Sequence, residues 1–185
     1  TMKLYDNEDA GISKGHTCCS LDDVEDARSV ARSLGMPYYV FNFKDGFREA
    51  VMSKFANCYL RGDTPNPCID CNRYMKFEKL FSRADILECK YIVTGHYARI
   101  TECGGEFFLK KAVDPAKDQS YVLYNLTQEQ LGRILFPLGS MTKAEARNIA
   151  EKNGFVNARK HDSQDICFAP DGDYAAAVRR ISGAD

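Results

Sequence analysis

The chain has 185 residues, enough for one substantial α/β core or for one domain with a piece of another. Apolar residues make up 44% and charged residues 28%, and no run reaches the roughly 20 apolar residues that cross a bilayer, so a membrane-spanning protein is excluded. A net charge of −1 excludes non-specific coating of nucleic acid, which needs a strong positive field, but leaves room for a local basic patch.

No basic and apolar leader opens the chain, and the expectation is a cytoplasmic protein without membrane contact. Thr1 is followed at once by strand-like Met2-Lys3-Leu4-Tyr5, and Ile181 to Asp185 close on no clear element, so both ends read as those of a fragment. Helical and strand-like segments then alternate, which predicts α/β architecture with a mostly parallel sheet. Ser20 to Asp23 reads as a capping box. Val24, Ala27, Ala31 and Leu34 follow at helical spacing, and Gly35 closes the helix. Residues 38–43 read as a buried strand, and Phe47, Val51, Phe55 and Tyr59 mark a second helix. Gly62, Pro65 and Pro67 punctuate a loop. A third helix is expected from about Asn72 to Ala84, with Met75, Leu80, Phe81 and Ala84 inward. Residues 91–94 form a short strand ending at Gly95-His96, and a hairpin turns at Gly104-Gly105. Short helices are expected near Asp118 and Thr127. A better-signalled one begins at Thr142, with Glu145 three residues on and Gly154 beyond.

Eight cysteines are many for this length. A secreted disulfide framework belongs to small, loop-rich domains, whereas this chain has long amphipathic helices, so metal or thiol chemistry is the better expectation. The densest signal is Gly62-Asp63-Thr64-Pro65-Asn66-Pro67-Cys68-Ile69-Asp70-Cys71-Asn72. It delivers two cysteines, three apart, at the expected start of a helix, where an anion is favoured, so Cys71 is a candidate thiolate. By residue type alone the pair fits half of a metal site equally well. A further cluster is Asp162-Ser163-Gln164-Asp165-Ile166-Cys167-Phe168, in which a lone cysteine between apolar neighbours is ordinarily just buried. Thr94-Gly95-His96-Tyr97-Ala98-Arg99 follows a strand, at the end where open α/β sheets bind ligands, although His96 alone reads as an ordinary surface histidine. Lys117-Asp118-Gln119-Ser120-Tyr121 opens a short helix.

Together these segments resemble the tRNA 2-thiouridylases. Thr64-Pro65-Asn66-Pro67-Cys68-x-x-Cys71-Asn72, Lys76-Phe77, Thr94 to Arg99, Lys117 to Tyr121 and Ser163-Gln164-x-Ile166-Cys167-Phe168 occur in the family's order and at similar separations, from about Met2 to the C-terminus. The resemblance implies a Rossmann-like adenine nucleotide α-hydrolase (ATP-pyrophosphatase) domain, incomplete at its N-terminus. It implies that ATP, with Mg2+, adenylates O2 of the wobble uridine of tRNA, and that a cysteine persulfide delivers sulfur to C2. A sulfur-relay protein or cysteine desulfurase would load that persulfide. By motif position Cys167 carries the persulfide and Cys71 is the second thiol, which releases sulfide or forms a disulfide with Cys167; thiol exchange suits both. Asn66, Pro67 and Cys68 would face the target base, and His96, Lys117, Asp118 and Gln119 the tRNA. Met2 would approach adenine, and Gly95 would lie against ATP.

Two departures from the family pattern matter. Some members carry aspartate at the position of Cys68, with an acid/base role. Here either Cys68 takes that role, or Cys68, Cys71 and Cys167 form a three-cysteine ligand set for an iron–sulfur cluster. The family's Ser-Gly-Gly-x-Asp-Ser loop, which cradles pyrophosphate, is also missing from these 185 residues, as is its C-terminal β domain, so the chain by itself is not expected to turn over. The expected organisation is a partial catalytic domain over 1–141, the possible start of a linker domain over 142–160, and a catalytic-cysteine segment with a following helix over 161–185. Two alternatives remain. One is a zinc-stabilised or tRNA-binding fragment without turnover, for which His16, Cys18 and Cys19 with Cys68 and Cys71 would complete a zinc site. The other is a synthetase of the amidotransferase type, which has no need of the cysteines.

Overall fold

Short parallel ladders with helices between them are the frame of this chain, as the alternation of segments predicts. The structure, a computed structural model, describes residues 1–6, 11, 21–158 and 165–183. In chain order the elements are β1 (Met2–Lys3), α1 (Leu21–Ser33), β2 (Phe41–Asn42), α2 (Lys44–Phe47), α3 (Lys54–Leu60), α4 (Pro67–Asp70), α5 (Leu80–Ile86) and β3 (Ile92–Val93). They continue with β4 (Ala98–Cys103), β5 (Glu106–Lys111), α6 (Gln128–Leu131), β6 (Ile134–Leu135), α7 (Lys143–Lys152) and α8 (Tyr174–Ser182). Two compact units divide them, Thr1–Cys71 with Phe155–Asp185, and Asn72–Gly154.

In the first unit β1 and β2 run parallel, Met2 opposite Phe41, with α1 in the connection. Gly35, at φ +64°, lets the Met36 N–H turn back to the Ala31 carbonyl and ends α1 as predicted. The inner face of α1 is narrower than expected, because Val24 is buried but Leu34 is 53% exposed. Ser20, the expected cap, lies outside the described residues. The buried strand expected over 38–43 shortens to β2. Tyr39, Phe41 and Phe43 stack along one side at 6.3 and 6.0 Å, yet only Phe43 is buried, and Tyr39 and Val40 are exposed. Among the described residues β2 has a strand neighbour on one edge only, so the two-sided burial of a central strand does not arise.

Residues 44–60 form one helical run in which Arg48–Ser53 is a π-helical turn between α2 and α3. The predicted Phe47, Val51 and Phe55 are buried, and Met52 and Ala56 join them, since a π turn displaces the inward stripe by one residue. The next helical run spans 67–86, with π-helical Cys71–Lys79 between α4 and α5, and begins five residues earlier than the sequence predicts. Asn66 is extended and its Oδ1 accepts the Cys68 N–H at 3.1 Å, while Pro67 stands where a helix has no use for an N–H. The Asn-Pro pair that reads as loop is therefore a helix cap. α8 packs on α3, capped by the Asp173 carboxylate on the Ala176 N–H and closed by Gly183 at φ +68°.

In the second unit β3 runs parallel to β6, a strand that the sequence does not signal. The hairpin β4–β5 forms as expected, with Gly104 and Gly105 at φ +61° and +83°, the backbone of a tight primed turn. Thr127 with Gln130, and Thr142 with Glu145, make complete capping boxes at α6 and α7. Gly139 lies against the Ala98 carbonyl with no room for a Cβ. Among the described residues no helix is long and apolar enough to cross a membrane.

Candidate functional site

The expected site residues fall into two groups, one in each unit. Met2, Asn66, Pro67, Cys68, Cys71 and Cys167 belong to the first, and Gly95, His96, Lys117, Asp118 and Gln119 to the second.

The cap at Asn66 sets the first group. Because the helix opens at Pro67, exposed Cys68 occupies its first turn and half-buried Cys71 lies one turn further in. The influence of the helix start on an anion fades within the first turn, so it bears on Cys68 more directly than on Cys71. Between the two, Asp70 takes an ion pair from Lys54 Nζ at 2.7 Å, and its side chain is only 14% exposed. This pair ties the cysteine helix to α3.

Cys167, half-buried, lies on an irregular turn before α8, and long-range partners fix that turn. The Tyr5 hydroxyl donates to the Cys167 carbonyl at 2.7 Å, and Arg180 donates to the Phe168 carbonyl at 3.0 Å. Phe168, 1% exposed, meets Phe47 and Phe55 edge-on at 5.9 and 5.2 Å. Tyr174, at the start of α8, rests on Phe55 and Tyr59 and donates its hydroxyl to Asp165 Oδ1 at 2.6 Å; the same oxygen accepts the Ile166 N–H. These bonds hold the Asp165 carboxyl below its usual range, the Tyr174 bond foremost. The Tyr174 phenol is raised, first by its bond to Asp165 and burial and, more weakly, by the charges of Asp165, Tyr59 and Cys68. Sequence reading missed Tyr5, Asp165, Tyr174 and Arg180. The one local signal was Asp173 ahead of Tyr174 and an alanine run, a helix start that delivers an aromatic ring.

None of Cys58, Cys68, Cys71, Cys89, Cys103 and Cys167 is disulfide-bonded. A Cys71–Cys167 disulfide is thus not part of this structure. Nor is the three-cysteine ligand set for an iron–sulfur cluster assembled. Among the described residues no three His, Cys, Asp or Glu side chains converge as metal ligands, so the alternative of Cys68, Cys71 and Cys167 around one cluster is corrected. His16, Cys18 and Cys19, the other zinc candidates, and Ser163-Gln164 lie outside the described residues.

The second group sits on tightly bonded backbone. Gln119 and Tyr97 exchange two bonds, Gln119 N–H to the Tyr97 carbonyl at 2.8 Å and Tyr97 N–H to Gln119 Oε1 at 3.0 Å. Asp118 accepts the Ala112 N–H and the Ser120 hydroxyl, both at 2.8 Å. Burial works to raise its carboxyl, but the Ala112 and Ser120 bonds and the charge of Lys111 outweigh it, and the group is lowered. Lys117 is half-buried and Gly95 exposed. His96 is not the surface histidine its sequence context suggests. It is 6% exposed between the rings of Phe77 and Phe136, with Nδ1 bonded to Thr94 Oγ1 at 2.8 Å. Desolvation, with the charge of Lys76, lowers it from 6.5 to about 3, so the ring is neutral at physiological pH. A cleft of about 210 Å3 lies in the same unit between Arg73, Phe77 and Glu78 and the segment 122–130, and no expected site residue lines it.

Met2 lies in β1, half-buried. The described residues do not form a phosphate cradle for ATP. The connection from β2 to α2 is capped by Phe43, which makes no side-chain cap bond, and β3 leads into a hairpin rather than a helix start.

Parallel ladders joined through helices, with candidate ligand residues after a strand end, define a Rossmann-like α/β class. Within it, residues 1–171 match the family described as "tRNA methyl transferase HUP domain", and the chain belongs to that family. It is 51% identical over 97% of its length to tRNA-specific 2-thiouridylase MnmA 1 of Thermoanaerobacter sp. (strain X514), covering 50% of that protein. It is 51% identical over 99% of its length to tRNA-specific 2-thiouridylase MnmA of Lachnoclostridium phytofermentans, covering 52% of it. The corresponding protein of Clostridioides difficile is 48% identical over 98% of the chain, which covers 51% of it. The chain thus spans about half the length of the curated relatives it matches.

Proposed function

We propose that the protein containing this chain is a tRNA-uridine 2-sulfurtransferase, in which Cys167 carries persulfide sulfur and Cys71 resolves the exchange. The single observation that carries this reading is the pairing, within one unit, of two differently held thiol segments: a capped helix with Cys68 and Cys71, and an anchored turn with Cys167. Its support also comes from relatives named for 2-thiolation at about half identity over nearly the whole chain. The family description speaks of methyl transfer, but three thiols in motif positions suit the exchange of persulfide sulfur, which needs more than one thiol.

In this reading the terminal sulfur of the Cys167 persulfide attacks C2 of an activated uridine, and the leaving group departs from that carbon. The Cys71 thiolate then attacks the inner sulfur of Cys167. The old S–S bond breaks, the thiolated base is released, and a Cys71–Cys167 disulfide forms, which an external thiol reduces. The disulfide is therefore a step of turnover rather than a staple of the fold. Cys68 stands exposed beside this exchange as the acid/base candidate. Asn66 and Pro67 would border the base, and Lys117 with Asp118, Gln119 and His96 remain the tRNA-facing candidates, Asp118 and Gln119 through a bonded backbone rather than spare side-chain acceptors. Met2 and Gly95 are the nucleotide-side candidates. The adenylating half of the reaction needs a phosphate cradle, and the family's Ser-Gly-Gly-x-Asp-Ser loop does not occur in these 185 residues, so they are expected not to turn over alone. A sulfur-relay protein or cysteine desulfurase would supply the persulfide.

The test is sulfur incorporation into tRNA by the full-length protein and by Cys167→Ser, read on a thiol-retarding gel. The variant is expected to lose thiolation by at least about 10³-fold, the scale for removing a nucleophile. Thiolation that persists in the variant removes Cys167 as sulfur carrier.

A further inference from the structure

Two residues outside the cysteine motifs connect the thiol segments through one helix. Lys54, the first residue of α3, holds Asp70 between Cys68 and Cys71 at 2.7 Å. On the same helix, Phe55 and Tyr59 receive the ring of Tyr174 at 6.1 and 6.2 Å, and the Tyr174 hydroxyl holds Asp165, two residues before Cys167, at 2.6 Å. Asp165 in turn accepts the Ile166 N–H, so the clamp acts on the backbone that leads into Cys167. Gly172, beside the Asp165 carboxylate, takes φ +72°, a turn conformation that favours glycine.

We propose that Tyr174 is a positioning residue for sulfur exchange: clamped to Asp165 and seated on α3, it sets the Cys167 turn against the same helix that fixes Cys68 and Cys71. The phenol does not touch the migrating sulfur. Its ring gives the direction and its hydroxyl the register, so the three thiols are indexed to one rigid element instead of to each other. Phe168 and Tyr5 anchor the far side of the turn, which leaves Asp165 as the pivot. This inference rests on the sulfur-transfer reading for its purpose, although the geometry it describes has a readout without tRNA.

The experiment uses the full-length protein as wild type, Tyr174→Phe, Asp165→Asn and the double variant. Reduced protein is treated with diamide, which takes two electrons and two protons from a thiol pair, and formation of the Cys71–Cys167 disulfide is followed by peptide mass. Thiolation kcat, KM for tRNA and Tm are measured alongside. Tyr174→Phe keeps the ring and loses the hydroxyl bond. It is expected to slow closure and kcat by about tenfold and to lower Tm by no more than a few degrees, with KM and alkylation of exposed Cys89 unchanged. The double variant is expected to be no slower than either single one, because both break the same bond. Wild-type closure in Tyr174→Phe, additive slowing in the double variant, or a wild-type protein whose thiols do not close overturns the proposal. Should Tyr174→Phe melt early, Asp165→Asn gives the same readout from the other partner. Persistent thiolation by Cys167→Ser would sink the sulfur-transfer reading alone, and the closure rates would still report on the clamp.

Discussion

Each compact unit fixes an irregular turn, and the two do it with different bonds. In Thr1–Cys71 with Phe155–Asp185, the turn at Cys167 is held by side chains that arrive from far along the chain, such as Tyr5 at a separation of 162 residues. Those side chains bind its carbonyls and leave the cysteine half-exposed. In Asn72–Gly154, the turn at Asp118–Gln119 is held by its own side chains, which accept bonds from nearby backbone and hydroxyl groups. The first arrangement holds the turn by its carbonyls and spends neither of these bonds on the candidate side chain. The second commits it to the fold, and a turn of that kind presents its shape rather than its donors and acceptors to a ligand.

The sharpest way to break this contrast is Phe168→Ala. The ring is buried against Phe47 and Phe55, and its loss is expected to destabilise by about 3–5 kcal/mol in denaturant titration and to free the Cys167 turn. An effect below roughly 1 kcal/mol would mean that the turn does not depend on its aromatic seat. Acid comes next. His96 has a folded value near 3 against 6.5 for an open chain, so the unfolded state takes up a proton first as pH falls. Stability is intact above about pH 6.5 and is lost progressively toward pH 3, by up to a few kcal/mol. His96→Gln is expected to flatten that slope in denaturant midpoints taken between pH 7 and 4.5, and an unchanged slope would assign it to other groups. Asp118→Ala strips partners from the Ala112 N–H and the Ser120 hydroxyl and is expected to cost about 1–3 kcal/mol. Tyr5→Phe, which removes one hydroxyl bond to the Cys167 carbonyl, is expected to cost only about 1 kcal/mol while raising the alkylation rate of Cys167. If Asp118→Ala proved silent and Tyr5→Phe severe, the division of labour between the two turns would be reversed.

What the sequence reveals follows the range of the interaction. The capping box at Thr142 and the two-glycine turn at 104–105 are local, and both form as read. The helix start at Pro67 is local too, yet prolines flanking Asn66 suggest a loop unless the asparagine is read as a cap. The over-long strand at 38–43 and the burial of His96 have a different origin. Neither the number of strand neighbours nor the approach of Phe77 and Phe136 is written near those residues. For the site, the cysteine motifs were legible because their spacing is fixed in the chain. Tyr5, Tyr174, Asp165 and Arg180 were not, because their partnerships are created by folding, and no periodicity announces them.

The π-helical turn Arg48–Ser53 carries a consequence for insertions and deletions. Its amides reach one residue further back than those of an α-helix, so the run 44–60 holds a surplus residue between two aromatic anchors, Phe47 and Phe55, that both bear on Phe168. Removing a single residue there would let the ladder close in α register, the narrower turn taking up the missing residue, so α2 and α3 would keep nearly the same mutual orientation. The two rings could still meet the same phenylalanine, so this run is expected to tolerate one deletion, whereas a second, with no π turn left to absorb it, would turn the rings apart by about 100° and unseat the turn that bears Cys167.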